Sequence, residues 1–286
     1  MLRRLVDRAK RVAEVATLEP NPLRFATQQL LRRTHLGDRL PFLWRMRFGG
    51  LPRANYAFCM QRGAALAEAL GIERISVIEF GVAGGNGLLN MEAHAEALEK
   101  HYSVRFDVYG FDMGRGLPHS GDPRDLPYRW REGLFSMDRV ALEQRLSRAH
   151  LVLGDVQQTI QTFVSQHAPA PLAAIAFDLD YYSSTRDALR IFDIAPEYRL
   201  PRVCCYIDDL TDTISEIGVL KAISEYNLEH PAKPLDQLRG NLPGFRAQPS
   251  WRDYIYELHD LTHPLYSQCT RGDAGMLPLA KRQRPQ

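Results

Sequence analysis

The run Val77-Ile78-Glu79-Phe80-Gly81-Val82-Ala83-Gly84-Gly85-Asn86-Gly87 constrains this chain more than any other stretch. It reads as a short apolar strand, an acid, a glycine-rich turn and then a helix starting near Leu88. Such a turn lets backbone approach a ligand where side chains would block it. The helix behind it offers unpaired N–H groups and a partial positive charge. The expectation is a nucleotide-like cofactor at the carboxyl end of a parallel sheet.

The rest of the chain supports such a sheet. Strand patterns fall at 75–80, 104–111, 149–153, 172–179 and 202–207, with helical patterns at 86–100, 137–148, 156–167, 184–195 and 214–229. This alternation predicts an α/β fold: a Rossmann-like, seven-stranded, mostly parallel sheet with helices on both faces. Ala174-Ile175-Ala176-Phe177 and Val203-Cys204-Cys205-Tyr206-Ile207 are nearly unbroken apolar runs, as strands buried on both faces are. Residues 231–250 read as loop, and 252–259 as a late strand, antiparallel to the others. Residues 280–286 read as a frayed polar tail.

Ahead of the sheet, residues 1–70 read as an N-terminal helical arm and cap, and 71–286 as the cofactor domain. Leu2, Leu5, Val6, Ala9, Val12, Ala13 and Ala16 sit near helical spacing, so 1–19 is an amphipathic helix. Residues 1–48 carry eleven Lys or Arg against four Asp or Glu. This arm is a candidate contact for a membrane surface, an acidic partner or a second subunit. Its small apolar residues lack aromatic anchors, which favours a docked arm with a solvated face. The helix over 54–70 ends at Gly71.

The whole chain of 286 residues has a formal charge of +2, too little by itself to predict nucleic-acid binding. No apolar core follows Arg3 and Arg4 as a signal peptide requires, and no run approaches the roughly 20 apolar residues of a membrane span. Cys59, Cys204, Cys205 and Cys269 match no zinc spacing and read as free thiols, which fits a reducing cytoplasm.

The cofactor follows from what the glycines lack and where the acids fall. A dinucleotide turn needs G-x-G-x-x-G, but Gly81 is followed two places on by Ala83, and Gly85-x-Gly87 runs on to Asn90. No Gly-Lys-Ser/Thr is present for a phosphate loop. Acids instead follow three successive strands, as Glu79, Asp112 and Asp155. Each alone suits a cap or turn. Together they suit a ligand with an amine, ribose hydroxyls and an adenine amine but no phosphate, which describes S-adenosylmethionine.

Over residues 72–210 the sequence resembles the class I S-adenosylmethionine-dependent methyltransferases. Glu79-Phe80-Gly81-Val82-Ala83-Gly84-Gly85 is similar to their first motif and Asp112 to their second-strand acid. The resemblance implies Gly81, Val82 and Gly85 beside the amino-acid part of the donor, and Asp112 on the ribose. It implies Asp155 and Val156 near adenine. Glu79 faces the methionine amine or braces the loop.

A second acidic group follows the next two strands, in Phe177-Asp178-Leu179-Asp180-Tyr181-Tyr182-Ser183-Ser184-Thr185 and Tyr206-Ile207-Asp208-Asp209. Neighbouring strand ends share one crevice, so Asp178, Asp208 and Asp209 converge there. Such carboxylates repel unless protonated or bridged by a cation, and hard oxygen ligands suit Mg²⁺, with calcium or manganese as substitutes. Capping by Ser184 is the bland alternative. The pair of motifs is similar to the macrocin O-methyltransferase type, metal-dependent sugar O-methyltransferases, and its metal positions to those of catechol O-methyltransferase. This chain departs by having Leu179 between the aspartates and Asp209 where the second family has Asn.

The expected function is a metal-dependent O-methyltransferase acting on a hydroxyl of a sugar-containing or phenolic small molecule. Asp178 borders both donor and metal. Asp180, His119 and His259 are the candidate bases. The spacing of His259 and His263 around a strand and Pro264 does not make a helical two-His metal site. The loop 113–135 either closes over the substrate or packs on the sheet edge. The rivals are an NAD-dependent oxidoreductase and a non-catalytic cofactor-binding or partner-docking protein.

Overall fold

The computed structural model describes residues 30, 40–210, 214–245, 248–268 and 270. The expected helix at 1–19, the polar tail and Cys269 lie outside the described residues. From residue 40 on, the described residues begin with two helices, α1 (Phe42–Arg47) and α2 (Ala54–Ala69). The alternating part then runs β1 (Arg74–Phe80), α3 (Asn86–Glu99), β2 (Arg105–Asp112), α4 (Arg139–Glu143), β3 (His150–Leu153) and α5 (Val156–His167). It continues with β4 (Leu172–Phe177), α6 (Tyr182–Leu189), β5 (Arg199–Ile207), α7 (Gly218–Glu229), β6 (Leu235–Gln237) and β7 (Ile255–His259).

The seven strands form one sheet in the order β3-β2-β1-β4-β5-β7-β6. β1 to β5 are mutually parallel, while β7 runs antiparallel to both β5 and β6. The sequence therefore predicts the seven-stranded, mostly parallel sheet and its late antiparallel strand correctly. β1 shows why both faces are covered. Ile75 and Val77 enter one core cluster with α2 and α3, and Ile78 and Phe80 enter the other with α5, α6 and α7. Side chains alternate across a strand, so a strand with apolar residues on both faces must be sandwiched.

Helix α2 is part of the first core rather than a detached cap. Its Tyr56, Phe58, Cys59 and Met60 are buried in the cluster that holds Val77, Ala174 and Cys204. Cys59, Cys204 and Cys205 are buried free thiols, as expected. Among the described residues no helix is long and apolar enough to cross a membrane.

Two expectations change. The helix read over 137–148 is only Arg139–Glu143. Asp138 caps it by accepting from the Ala141 amide at 3.1 Å. It stops early because the amides of Ser147, Arg148 and Ala149 all turn to one buried oxygen, Glu92 Oε1, at 2.9, 2.6 and 2.7 Å. Inside the stretch read as loop, Leu235–Gln237 forms the short edge strand β6. A three-residue strand after Pro234 carries no periodicity to detect.

Candidate active site

A cleft of about 550 Å³ opens at the carboxyl ends of the parallel strands. Its size lies in the usual range for small-molecule and cofactor sites. β1, β2, β3 and β4 deliver Glu79, Asp112, Asp155 and Asp178 to it, and Asp180 and Asp209 border it too. The first five strand ends lie side by side because the parallel register aligns Phe80 with Phe111 and Phe177, and Phe177 with Ile207. Phe80 packs 4.8 Å from Phe111 and 5.3 Å from Phe177, centroid to centroid, giving the acids a rigid apolar floor.

The glycine turn packs closely on the neighbouring strand end. Gly81 takes φ of 86°, and a β carbon there would stand 1.7 Å from the carbonyl oxygen of Asp178. Asp112 holds the turn from the next strand: its Oδ2 accepts from the Ala83 amide at 2.8 Å, and its Oδ1 from the Gly114 amide at 2.6 Å. Each carboxylate oxygen has a second lone-pair site left for a ligand. Asp155 caps α5 by accepting from the Gln157 amide at 2.9 Å while still bordering the cleft with Val156. The capping role and the lining role coexist. Val82 borders the cleft as well.

Glu79 lies deepest, 1% exposed. Its Oε1 accepts from the Tyr56 hydroxyl at 2.9 Å, whereas its Oε2 is buried with no partner. Burial, and then repulsion from Asp178, push its carboxyl up to about 8. Asp178 is pushed up to about 7 by burial and by Asp208, with Arg53 opposing. Asp180 and Asp209 are both raised, by burial first and then by neighbouring aspartates. Both also take left-handed backbone, with φ of 60° and 56°. Aspartate tolerates that region better than most residues, so two strained turns sit at adjacent strand ends.

These carboxyls test the expected metal. Oxygen donors are the right kind for a hard divalent cation, and Asp209 Oδ2 is buried with no partner. Asp178 and Asp209 border the cleft; Asp208 is not among its lining residues and accepts the Asp209 amide at 3.0 Å. Among the described residues no three Asp, Glu, His or Cys side chains are gathered as a metal-ready group. The donors fit a cation in kind, and their gathering is not visible.

The histidines separate. His119 is at the cleft, 82% exposed in its side chain and 3.2 Å from Glu132. His259 is not at the cleft. It pairs with Arg202 early in β5, because β7 runs antiparallel, and its Nδ1 lies 2.9 Å from the Tyr266 hydroxyl oxygen. The candidate base His259 is therefore at the wrong end of the sheet. His263 is buried, its Nε2 beside the carbonyl oxygens of Pro196 and Arg199 at 3.0 and 3.1 Å. Gly85, expected beside the donor, is not among the residues that border the cleft. A β carbon there would meet Leu142 Cδ1 at 2.2 Å, so it faces α4 and does not line the cleft.

The loop 113–135 lies across the strand ends and is tied down. Buried Asp125 accepts from the hydroxyl of Ser120 and from both the amide and the hydroxyl of Ser183, the last two at 2.7 Å. Arg124 covers the Tyr182 ring at 4.0 Å. The loop supplies Leu117, Pro118, Trp130 and Phe135 to the cleft wall. Two residues that sequence reasoning missed also matter. Arg53 borders the cleft, its Nη1 3.5 Å from Asp178 Oδ2, and Tyr56 joins it to Glu79. Both precede the glycine turn in a segment read only as cap and helix, and no local motif marks them.

No family model and no curated protein matches the sequence. Solved structures are similar to it. The calicheamicin methyltransferase CalS11 is 22% identical with a TM-score of 0.49, covering 82% of this chain and 90% of that one. The O-methyltransferase NovP is 18% identical with a TM-score of 0.47, covering 71% of this chain and 79% of that one. A cofactor-bound structure of Rv0187 from MTB is 15% identical with a TM-score of 0.38, covering 86% and 93%. The sheet order β3-β2-β1-β4-β5-β7-β6, with β7 reversed and the cleft at the carboxyl ends, is the Rossmann-like, mostly parallel sheet that the sequence predicts.

Proposed function

We propose that the protein is an S-adenosylmethionine-dependent O-methyltransferase, Mg²⁺-dependent, acting on a hydroxyl of a sugar-containing or phenolic small molecule. One observation carries this reading. Asp112 fastens the glycine turn at Ala83 while bordering the same cleft as Glu79, Asp155 and Asp178. A lining so rich in carboxylates repels phosphates and suits a ligand with an amine, ribose hydroxyls and a sulfonium.

The residues divide the work by position. Gly81 and Val82 bring backbone against the donor, Asp112 receives its ribose, and Asp155 with Val156 borders its adenine. Holding donor and acceptor in line supplies several kcal/mol of the barrier reduction. Asp180 borders the cleft at a left-handed turn and takes the acceptor's proton; His119 stands at the rim as the other candidate. Mg²⁺ would be held by Asp178, Asp208 and Asp209, and a bound divalent cation lowers the pKa of an acceptor hydroxyl.

Calorimetry and a vicinal-diol acceptor panel test the proposal together. The expected result is binding of S-adenosylmethionine and of its demethylated product, and transfer that chelator removes and Mg²⁺ restores. Asp180→Asn should lower turnover by roughly 100-fold or more, in line with loss of a general base, and leave donor binding intact. Binding of NAD in place of S-adenosylmethionine would overturn the donor assignment. Full transfer in chelator would overturn the metal.

A further inference from the structure

Among the described residues the lining of the cleft is rich in carboxylates. Glu79, Asp112, Asp155, Asp178, Asp180, Asp187 and Asp209 border it, and Arg53 is the one Lys or Arg among its lining residues. A methyl donor with an amino-acid end brings cations, at its sulfonium and ammonium, and also one carboxylate. The cations have acids to face. Arg129 acts on Asp180 and Asp209; on the Glu79 and Asp178 side of the cleft the cation that can face this carboxylate is Arg53.

The local geometry agrees. Arg53 precedes α2 in a left-handed conformation, φ 46°, which turns it over the carboxyl ends of β1 and β4. Both of its side-chain hydrogen bonds come from Nη1, to the Tyr56 hydroxyl at 3.2 Å and to Asp178 Oδ2 at 3.5 Å. Nε and Nη2 are left for a ligand, and those two donors form the fork that matches a carboxylate. The second observation is Glu79. Its Oε2 is buried without a partner in a residue that borders the cleft. Tyr56 ties the two ends into one unit, accepting from Arg53 and donating to Glu79.

We propose that Arg53 binds the carboxylate of the donor's amino-acid end, while Glu79 Oε2 faces its ammonium group. This rests on the cleft being the methyl-donor site. Arg53 is then a donor-specificity residue supplied by the segment before the sheet. Only a donor carrying a complete amino-acid end satisfies both poles of the unit.

The test compares S-adenosylmethionine with its decarboxylated form, which keeps the ammonium and the sulfonium. Calorimetry on the full-length wild type should show the decarboxylated form binding roughly 10- to 100-fold more weakly, the effect of a charge-assisted hydrogen-bonded pair. Arg53→Met should bind the two forms about equally, by losing affinity for the carboxylated one only. Arg53→Lys should restore part of the difference. Equal affinities in the wild type overturn the proposal without any variant. So does an Arg53→Met protein that keeps the full difference, or that loses both ligands alike. If the wild type binds neither form, the donor-site reading falls first and this inference with it.

Discussion

Gly81 is the residue on which the cleft is most exposed to a single change. A β carbon there meets backbone, the Asp178 carbonyl oxygen at 1.7 Å, and backbone cannot rotate aside as a flexible side chain can. The φ of 86° adds a conformational penalty for any L side chain. Overpacking and the left-handed penalty together predict that Gly81→Ala destabilises by about 3 kcal/mol or more. Urea denaturation checks this, and an unchanged midpoint would mean that β1 and β4 do not approach as closely as described. The same scale shows what a sequence carries. Gly81, Asp112 and Asp155 are legible because a strand end followed by an acid or a glycine is a local pattern. Gly85 belongs to the same turn, yet which side of the turn a residue faces depends on packing against Leu142. Arg53 was not legible, because its contact with Asp178 spans 125 positions.

At the scale of elements, the loop between β2 and α4 forms one wall of the cleft. Its composition leaves open whether it closes over the site or lies on the sheet edge. Asp125 decides this by tying it to the start of α6 through Ser183 and, within the loop, through Ser120. Removing a buried carboxylate that accepts three hydrogen bonds leaves two hydroxyls and an amide without it. Asp125→Ala should therefore destabilise the loop by roughly 2 kcal/mol, close to the value of hydrogen bonds to a charged group. The effect should be local. Limited proteolysis should cut within residues 113–135 several-fold faster, while the rest of the chain keeps its protection. Wild-type cleavage rates in the variant would show that Arg124 on Tyr182 suffices. The early end of α4 teaches a related lesson. Helical spacing over 137–148 was genuine in the sequence, but three amides there are claimed by Glu92, 55 to 57 positions away.

Across the whole molecule, the acids that mark the cleft set how stability varies with pH. The mostly parallel sheet and its two covered faces follow from alternation and apolar runs, which is why the fold was legible; the electrostatic state of the cleft was not, because it depends on burial. Glu79 is pushed to about 8 and Asp178 to about 7, and Asp180 and Asp209 are raised as well. A carboxyl whose folded pKa is raised holds a proton that the unfolded chain has released, so stability falls as pH rises through the folded value. His94 has the opposite sign. Burial lowers it to about 4, so its contribution is lost as pH falls from about 6.5 toward 4. The histidine's opposing effect is half gone at pH 6.5 and fades over the next pH unit, leaving the raised carboxyls to dominate. The carboxyls that are lowered, such as Asp260 and Glu257, act only in the acid range. Between pH 6.5 and 8 the ligand-free protein should therefore lose stability at up to about 1.4 kcal/mol per pH unit for each proton that the folded protein holds and unfolding releases. Glu79 holds such a proton over most of this window, and Asp178, Asp180 and Asp209 contribute chiefly in its lower part. Urea midpoints at pH 6.5 and pH 8 measure the fall. Repeating them with Mg²⁺ separates causes: a cation that joins Asp178, Asp208 and Asp209 should raise the midpoint at pH 8 more than at pH 6.5, because it binds the ionised form. A midpoint that rises from pH 6.5 to 8 without added metal would mean these carboxyls are already ionised in the folded protein, their charges balanced by groups such as Arg53.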